Sequence, residues 1–328
     1  MLFAAGMGTR LKPLTDIMPK ALVPVNGMPL LEITLTRLIS FGFNEIVINV
    51  HHFAEQIEQY LKQHQFSADI IISDESDKLL ETGGGLKKAL NLFTNDDAPI
   101  LLHNVDILSN ADLDTFYNES KEKLAHLMVS KRKTNRFLLF NNENRLMGWH
   151  NTTTGEVKSP FPALIPDEYR SLAFSGIHCV SPDIIKMMDE WPDKFPIIDF
   201  YLSNCKDHDI FCTEFSDLQL LDVGKQDTLS LQLKIGATAI GGRQISIFFQ
   251  KALKHSLHMG QASELVGVGD ALLHITDAIM IDKNIQRRDG CRFAAGKVSP
   301  LAGRWRCQRC ADGISVPQKA GGHAGLHC

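Results

Sequence analysis

The first twenty residues, MLFAAGMGTRLKPLTDIMPK, set two cations beside a turn of small residues. Met1-Leu2-Phe3-Ala4-Ala5 is a short apolar run that reads as the end of a buried strand, and Gly6-Met7-Gly8-Thr9 follows as a turn. Glycines leave backbone N–H groups open to a phosphate chain with no Cβ in the way. Arg10 adds a planar fork of donors, and Lys20, set up by Pro19, adds a compact point charge. Residues of these types at this spacing are equipped to hold a polyphosphate. The order G-x-x-x-x-G-K-[ST] is absent, so this is not a Walker-type phosphate loop.

The elements that must position this loop are legible downstream. In residues 29–41, Leu30, Leu31, Ile33, Leu35, Leu38 and Ile39 recur at a helical period, with Pro29 at the first turn and Gly42 at the end. Glu45–Val50 is a buried strand, 53–64 a second helix and 69–73 another strand. This alternation predicts an α/β fold with a parallel sheet and helices on both faces, and in such sheets ligands sit at the carboxyl ends of the strands. Further on, Leu80-Glu81-Thr82-Gly83-Gly84-Gly85-Leu86 leads into a helix expected over 87–93, its glycines offering bare backbone to a base or a sugar. Residues 99–108, PILLHNVDIL, read as an apolar strand ending in a carboxylate, and Asp112 as the cap of the next helix. Residues 125–131, 137–140 and 145–149 read as strands, with Asn141–Asn144 as a turn. Trp149 either stacks on a sugar or packs the sheet, and the pair His51-His52 is either structural or part of a metal site that would need a third ligand.

Gly6 to Lys20 reads G-x-G-T-R-L-x-P-L-T-x-x-x-P-K, which resembles the signature of the sugar-1-phosphate nucleotidyltransferases. The likeness continues through four later motifs, over roughly residues 1–230. It implies a Rossmann-like three-layer α/β/α nucleotidyltransferase fold of the GT-A-like kind, with a mostly parallel central sheet and a small antiparallel insertion. It also implies transfer of a nucleoside monophosphate from a nucleoside triphosphate to a sugar 1-phosphate, with Mg²⁺ as cofactor. Arg10 and Lys20 take the catalytic positions, and Asp106 and Asp222 (in Leu221-Asp222-Val223-Gly224) take those of the metal carboxylates. Ala4, Ala5, Gly6, Gly8, Thr9, Glu81, Thr82 and Gly83 fall at nucleotide-binding positions, and Asn104, Gly148, Gly176 and Asp199 at sugar-binding ones. For Asp199 a carboxylate near a helix start is the stronger reading, a structural one. The string L-E-T-G-G-G resembles the N-acetylmuramate-1-phosphate uridylyltransferases of cell-wall recycling, which favours UTP; a mannose-1-phosphate guanylyltransferase or another NDP-sugar pyrophosphorylase is the alternative. An inactive regulatory relative would be expected to lose Arg10, Lys20 or a metal carboxylate, and all are present. Family members carry a few more residues in the first strand, so the chain is expected to be truncated at its start.

Composition is that of an ordinary globular protein. Of 328 residues 44% are hydrophobic, which is enough for a core, and the formal net charge is −4, which argues against a general nucleic-acid or membrane-surface binder. No apolar run approaches eighteen residues, and the N-terminus shows no secretory pattern. Seven irregularly spaced cysteines fit reduced thiols and a cytoplasmic setting. Residues 231–328 differ: 13 Lys and Arg stand against 6 Asp and Glu, with no six-residue repeat. We read them as a separate basic extension, poorly ordered or foreign. Cys307, Cys310, His323 and His327 have the spacing of a zinc site, and the charge alone would suit a nucleic-acid arm.

Overall fold

The computed structural model describes residues 1–224 apart from 26, 95–96 and 216–217. All of them fall in one unit of the chain. The basic segment 231–328, with Cys307, Cys310, His323 and His327, lies outside the described residues.

The strands are β1 (Leu2–Phe3), β2 (Pro24–Val25), β3 (Met28–Pro29), β4 (Glu45–Val50), β5 (Asp69–Asp74), β6 (Ile100–Asn104), β7 (Ile107–Ser109), β8 (Ala125–Ser130), β9 (Arg136–Phe140), β10 (Leu146–Asn151), β11 (Val157–Lys158), β12 (Arg170–Val180), β13 (Ile210–Glu214) and β14 (Leu220–Asp222). The helices are α1 (Leu30–Ser40), α2 (Ala54–Gln63), α3 (Glu81–Ala89), α4 (Leu113–Glu119), α5 (Ile184–Met188) and α6 (Ile197–Asn204). The central sheet runs β5-β4-β1-β6-β12-β8-β13. Pairing along it is parallel except at β12, which is antiparallel to both neighbours, so the sheet is mostly parallel. The N-terminal end of β12 leaves β6 and pairs with β9, which continues through β10 to β11 as the antiparallel insertion.

Two apolar clusters cover the two faces, as the alternation of β4 requires: Ile46, Ile48 and Val50 join Leu31, Leu35 and Leu38 of α1, while Val47 joins Leu86 of α3 and Phe200 of α6. Among the described residues no helix is long and apolar enough to cross a membrane.

The triple glycine departs from the sequence reading. The helix begins at Glu81, not at 87, and Gly83, Gly84 and Gly85 lie inside α3. The Gly83 and Gly84 amides donate to the Phe195 carbonyl at 2.9 and 3.2 Å. A tertiary acceptor thus satisfies the free first-turn donors and overrides the poor helix propensity of glycine.

Candidate functional site

The carboxyl ends of β1 and β6 open into a cleft of about 370 Å³. Its lining includes Phe3, Ala4, Ala5 and Gly6 from the first strand and turn, Asn104 at the end of β6 and Asp106 just beyond it, Leu79, Glu81 and Thr82 at the start of α3, and Lys20. The turn is held in shape by Gly8 at φ +61°; Thr15 donates to the Gly8 carbonyl at 2.9 Å. A Cβ on Gly8 would lie 2.8 Å from the Thr15 methyl and 3.0 Å from Lys20 Cβ, so only glycine brings this turn against the lysine. Gly6 lines the cleft and has open space where its Cβ would be.

Lys20 is 9% exposed and forms an ion pair with Asp106. Asp106 sits in the turn between β6 and β7, so the strand expected over 99–108 breaks in two at this residue. Across from it, β14 pairs antiparallel with β7 in the register Asp222 to Ile107, and the Val223 amide donates to the Asp106 carbonyl at 2.9 Å. The two aspartates are thereby placed on facing chain segments. Gly224 packs into the group they form: its Cβ would meet Asp222 Oδ1 at 2.7 Å, Arg10 Nη2 at 2.8 Å and Lys20 Nζ at 2.9 Å. Two cations and two carboxylates therefore converge at one end of the cleft. Arg37 fixes the segment beyond Asp106 from behind; it is 6% exposed and donates to the Ser109 and Ala111 carbonyls, and burial lowers its pKa to about 10.

Paired carboxylates suit a hard divalent cation such as Mg²⁺, which takes one or two carboxylates and completes its shell with phosphate oxygens and water. Among the described residues no group of three or more His, Cys, Asp or Glu side chains comes together. Asp106 and Asp222 fit that cation with substrate oxygens as further ligands. His51 hydrogen-bonds the Glu75 carbonyl at 2.6 Å, in line with the structural reading of the His51-His52 pair. His103 and His178 are fully buried, and burial pushes each down to about 3, which leaves them neutral and out of proton transfer near pH 7.

The structure brings Ala4, Ala5, Gly6, Lys20, Glu81, Thr82, Asn104 and Asp106 into the cleft, with Arg10 and Asp222 at the charged end. Thr9 opens the short helical turn Thr9–Leu11 that carries Arg10. Gly176, at φ +79° in the bulge of β12, packs beside the cleft: its Cβ would come within 2.8 Å of Asn104 Nδ2. Three candidates lie elsewhere. Gly83 packs on the Phe195 ring, inside the protein. Gly148 packs against Lys158 and Ser159, and Asp199 pairs with Lys158 at 3.2 Å beside a separate depression of about 400 Å³. Lys158 also lies 5.5 Å over the Trp149 ring. The sequence reading missed Asn49, Leu79 and Pro196 in the lining; a lone Asn in the apolar run Ile46–Val50 was the available signal for the first.

Residues 1–136 match the family described as nucleotidyl transferase. An N-acetylmuramate alpha-1-phosphate uridylyltransferase from Caulobacter vibrioides is 32% identical over 198 residues, covering 56% of this chain and 75% of that protein. A UTP--glucose-1-phosphate uridylyltransferase from Synechocystis sp. is 37% identical over 134 residues, covering 38% of this chain and 34% of that protein. In three dimensions HddC from Yersinia pseudotuberculosis superposes with a TM-score of 0.57 at 19% identity, over 71% of this chain and 96% of that one, a likeness of fold.

Proposed function

We propose that this chain, which belongs to the sugar-1-phosphate nucleotidyltransferase family, transfers a uridylyl group from UTP to N-acetylmuramate 1-phosphate and releases pyrophosphate. The observation that carries the reaction is the convergence of Arg10, Lys20 and Asp222 on Gly224, with Asp106 paired to Lys20, at the end of a cleft walled by Ala4–Gly6 and Thr82. The choice of UTP and of the sugar is supported by the Caulobacter relative, named for that reaction, and by the string Leu80–Gly85.

In this reading an oxygen of the sugar phosphate attacks the α-phosphorus in line, and the bond from that phosphorus to the bridging oxygen of the pyrophosphate breaks. No general base is required, because a phosphate monoester with a second pKa near ~6 is largely dianionic at neutral pH. Catalysis is then positioning and charge stabilisation. Arg10, exposed at the turn, receives the departing pyrophosphate. Lys20 exchanges its Asp106 partner for the reacting phosphates. Asp106 and Asp222 would hold Mg²⁺, which supplies Lewis-acid neutralisation of the phosphate charge. The glycine turn donates backbone N–H groups to the triphosphate, and Glu81 and Thr82 face the nucleoside.

Pyrophosphate release over a grid of UTP, GTP, CTP and dTTP against several sugar 1-phosphates tests this. UTP with N-acetylmuramate 1-phosphate is expected to give the highest kcat/KM. A preference for GTP, or for a neutral hexose 1-phosphate, would overturn the substrate assignment, and no release with any pair would overturn the activity.

A further inference from the structure

Asn49 is the polar exception in β4 and is 2% exposed; Glu75, just past β5, is 1% exposed. The two side chains form one relay. The Ala4 amide donates to Asn49 Oδ1 at 2.8 Å, Asn49 Nδ2 donates to Glu75 Oε1 at 2.7 Å, and the Leu80 amide donates to Glu75 Oε2 at 3.1 Å. The relay crosses from the end of β1 through β4 and β5 to the start of α3. Its first bond holds the backbone that walls the cleft on one side, and its last holds the residue preceding Glu81 and Thr82. Gly85 leaves room for it: a Cβ there would lie 2.7 Å from Glu75 Oε1 and 2.9 Å from Asn49 Nδ2. Burial raises the pKa of the Glu75 carboxyl, and the bonds from Asn49 and Leu80 oppose that rise.

We propose that Asn49 and Glu75 are positioning residues for the nucleotide: they set the spacing between the Ala4–Gly6 backbone and the Glu81–Thr82 segment, and so govern affinity for the nucleoside triphosphate rather than for the sugar phosphate. The proposal rests on the reading in which those two stretches receive the nucleotide. The donors and acceptors allow a strict test. Glu75→Gln alone turns an amide nitrogen toward either Asn49 Nδ2–H or the Leu80 N–H, which sets donor against donor. Asn49→Asp alone sets two carboxylates face to face. Together the changes restore all three bonds with the middle one reversed. The carboxylate introduced at position 49 accepts from the Ala4 amide and from the side-chain amide introduced at position 75, whose oxygen accepts from the Leu80 amide.

Kinetics and nucleotide calorimetry on the full chain, wild type and the three variants, form the cycle. Each single change is expected to raise the KM and Kd for the triphosphate about tenfold or more, since an unsatisfied buried group is costly, and to leave the KM for the sugar phosphate within about twofold. The double variant is expected to return triphosphate affinity to within about threefold of wild type. A double variant no better than the worse single, or singles that alter both substrates equally or neither, would overturn the proposal. Should a single variant fail to fold, the double variant decides alone: wild-type affinity supports the relay, and a loss of affinity in a folded double variant overturns it. An inactive wild type would overturn the proposed reaction, while the calorimetric cycle would still decide the relay.

Discussion

Asp106→Asn is expected to lower kcat by at least about 10³-fold, a loss of about 4 kcal/mol of transition-state stabilisation, while the protein melts within a few degrees of wild type. The substitution keeps the shape of the side chain and one acceptor oxygen for Lys20, so it opens no cavity. What it removes is charge. In the wild type the Asp106 side chain is 13% exposed and that of Lys20 is 11% exposed, which makes the local dielectric low and each unit of charge consequential. Two opposing effects keep the fold intact. Lys20 loses a full ionic partner, and Asp222 loses a like charge close by. The proposed reaction has no such compensation, because one of the two carboxylates assigned to the metal is gone.

Asp112→Ala supplies the contrast, six residues further on. Its Oδ1 accepts from the Asp114 and Thr115 amides at 3.1 and 3.2 Å as the cap of α4. Its loss should cost about 1 kcal/mol, or roughly 2–4 °C in melting temperature, with turnover unchanged. Near-normal Mg²⁺-dependent rates in Asp106→Asn, or an equal loss in Asp112→Ala, would remove Asp106 from its assigned role.

The sequence separated those two aspartates because their surroundings differ locally: Asp112 precedes a helical period, and Asp106 ends an apolar strand. The same local logic recovered β4 and α1, whose periods of two and 3.6 are written in consecutive residues. It failed where the partner is distant. The bulge in β12 depends on the register against β8, where Phe174 faces Val129 and His178 faces Leu127. The relay through Asn49 and Glu75 joins residues 26 apart to an amide at the chain start. Gly148 and Asp199 were assigned by motif position, but they lie across β10, β11 and α6, beside Lys158 rather than in the cleft. The triple glycine shows the limit most clearly. A missing Cβ is required equally by an approaching ligand and by an approaching backbone, and in α3 the approaching groups are Phe195, Asp193 and Glu75.

Gly84→Ala sets two effects of opposite sign against each other. The residue sits in a helix interior, where propensity alone would stabilise the protein by about 1 kcal/mol. Packing demands the reverse. A Cβ on Gly84 would overlap the carbonyl oxygen of Asp193 and come within 2.9 Å of its carbon. Those are backbone atoms of the segment that also caps α3 through the Phe195 carbonyl and is tied to it by the Ile197 amide donating to Thr82 Oγ1 at 3.0 Å. The segment cannot rotate away as a side-chain tip would; either it or α3 must retreat and stretch these bonds. Overpacking of this kind costs up to about 3 kcal/mol or somewhat more, which outweighs the propensity gain. The net expectation is a destabilisation of about 2 kcal/mol and a melting temperature lower by roughly 4–8 °C. Because Glu81 and Thr82 line the cleft one turn away, the KM for the triphosphate should rise as well. Thermal denaturation of Gly84→Ala beside Lys88→Ala, at a more exposed position of the same helix, measures the difference. A melting temperature at or above wild type in Gly84→Ala would mean that α3 stands clear of the Asp193–Phe195 segment, and the glycine run would again be free to serve a ligand.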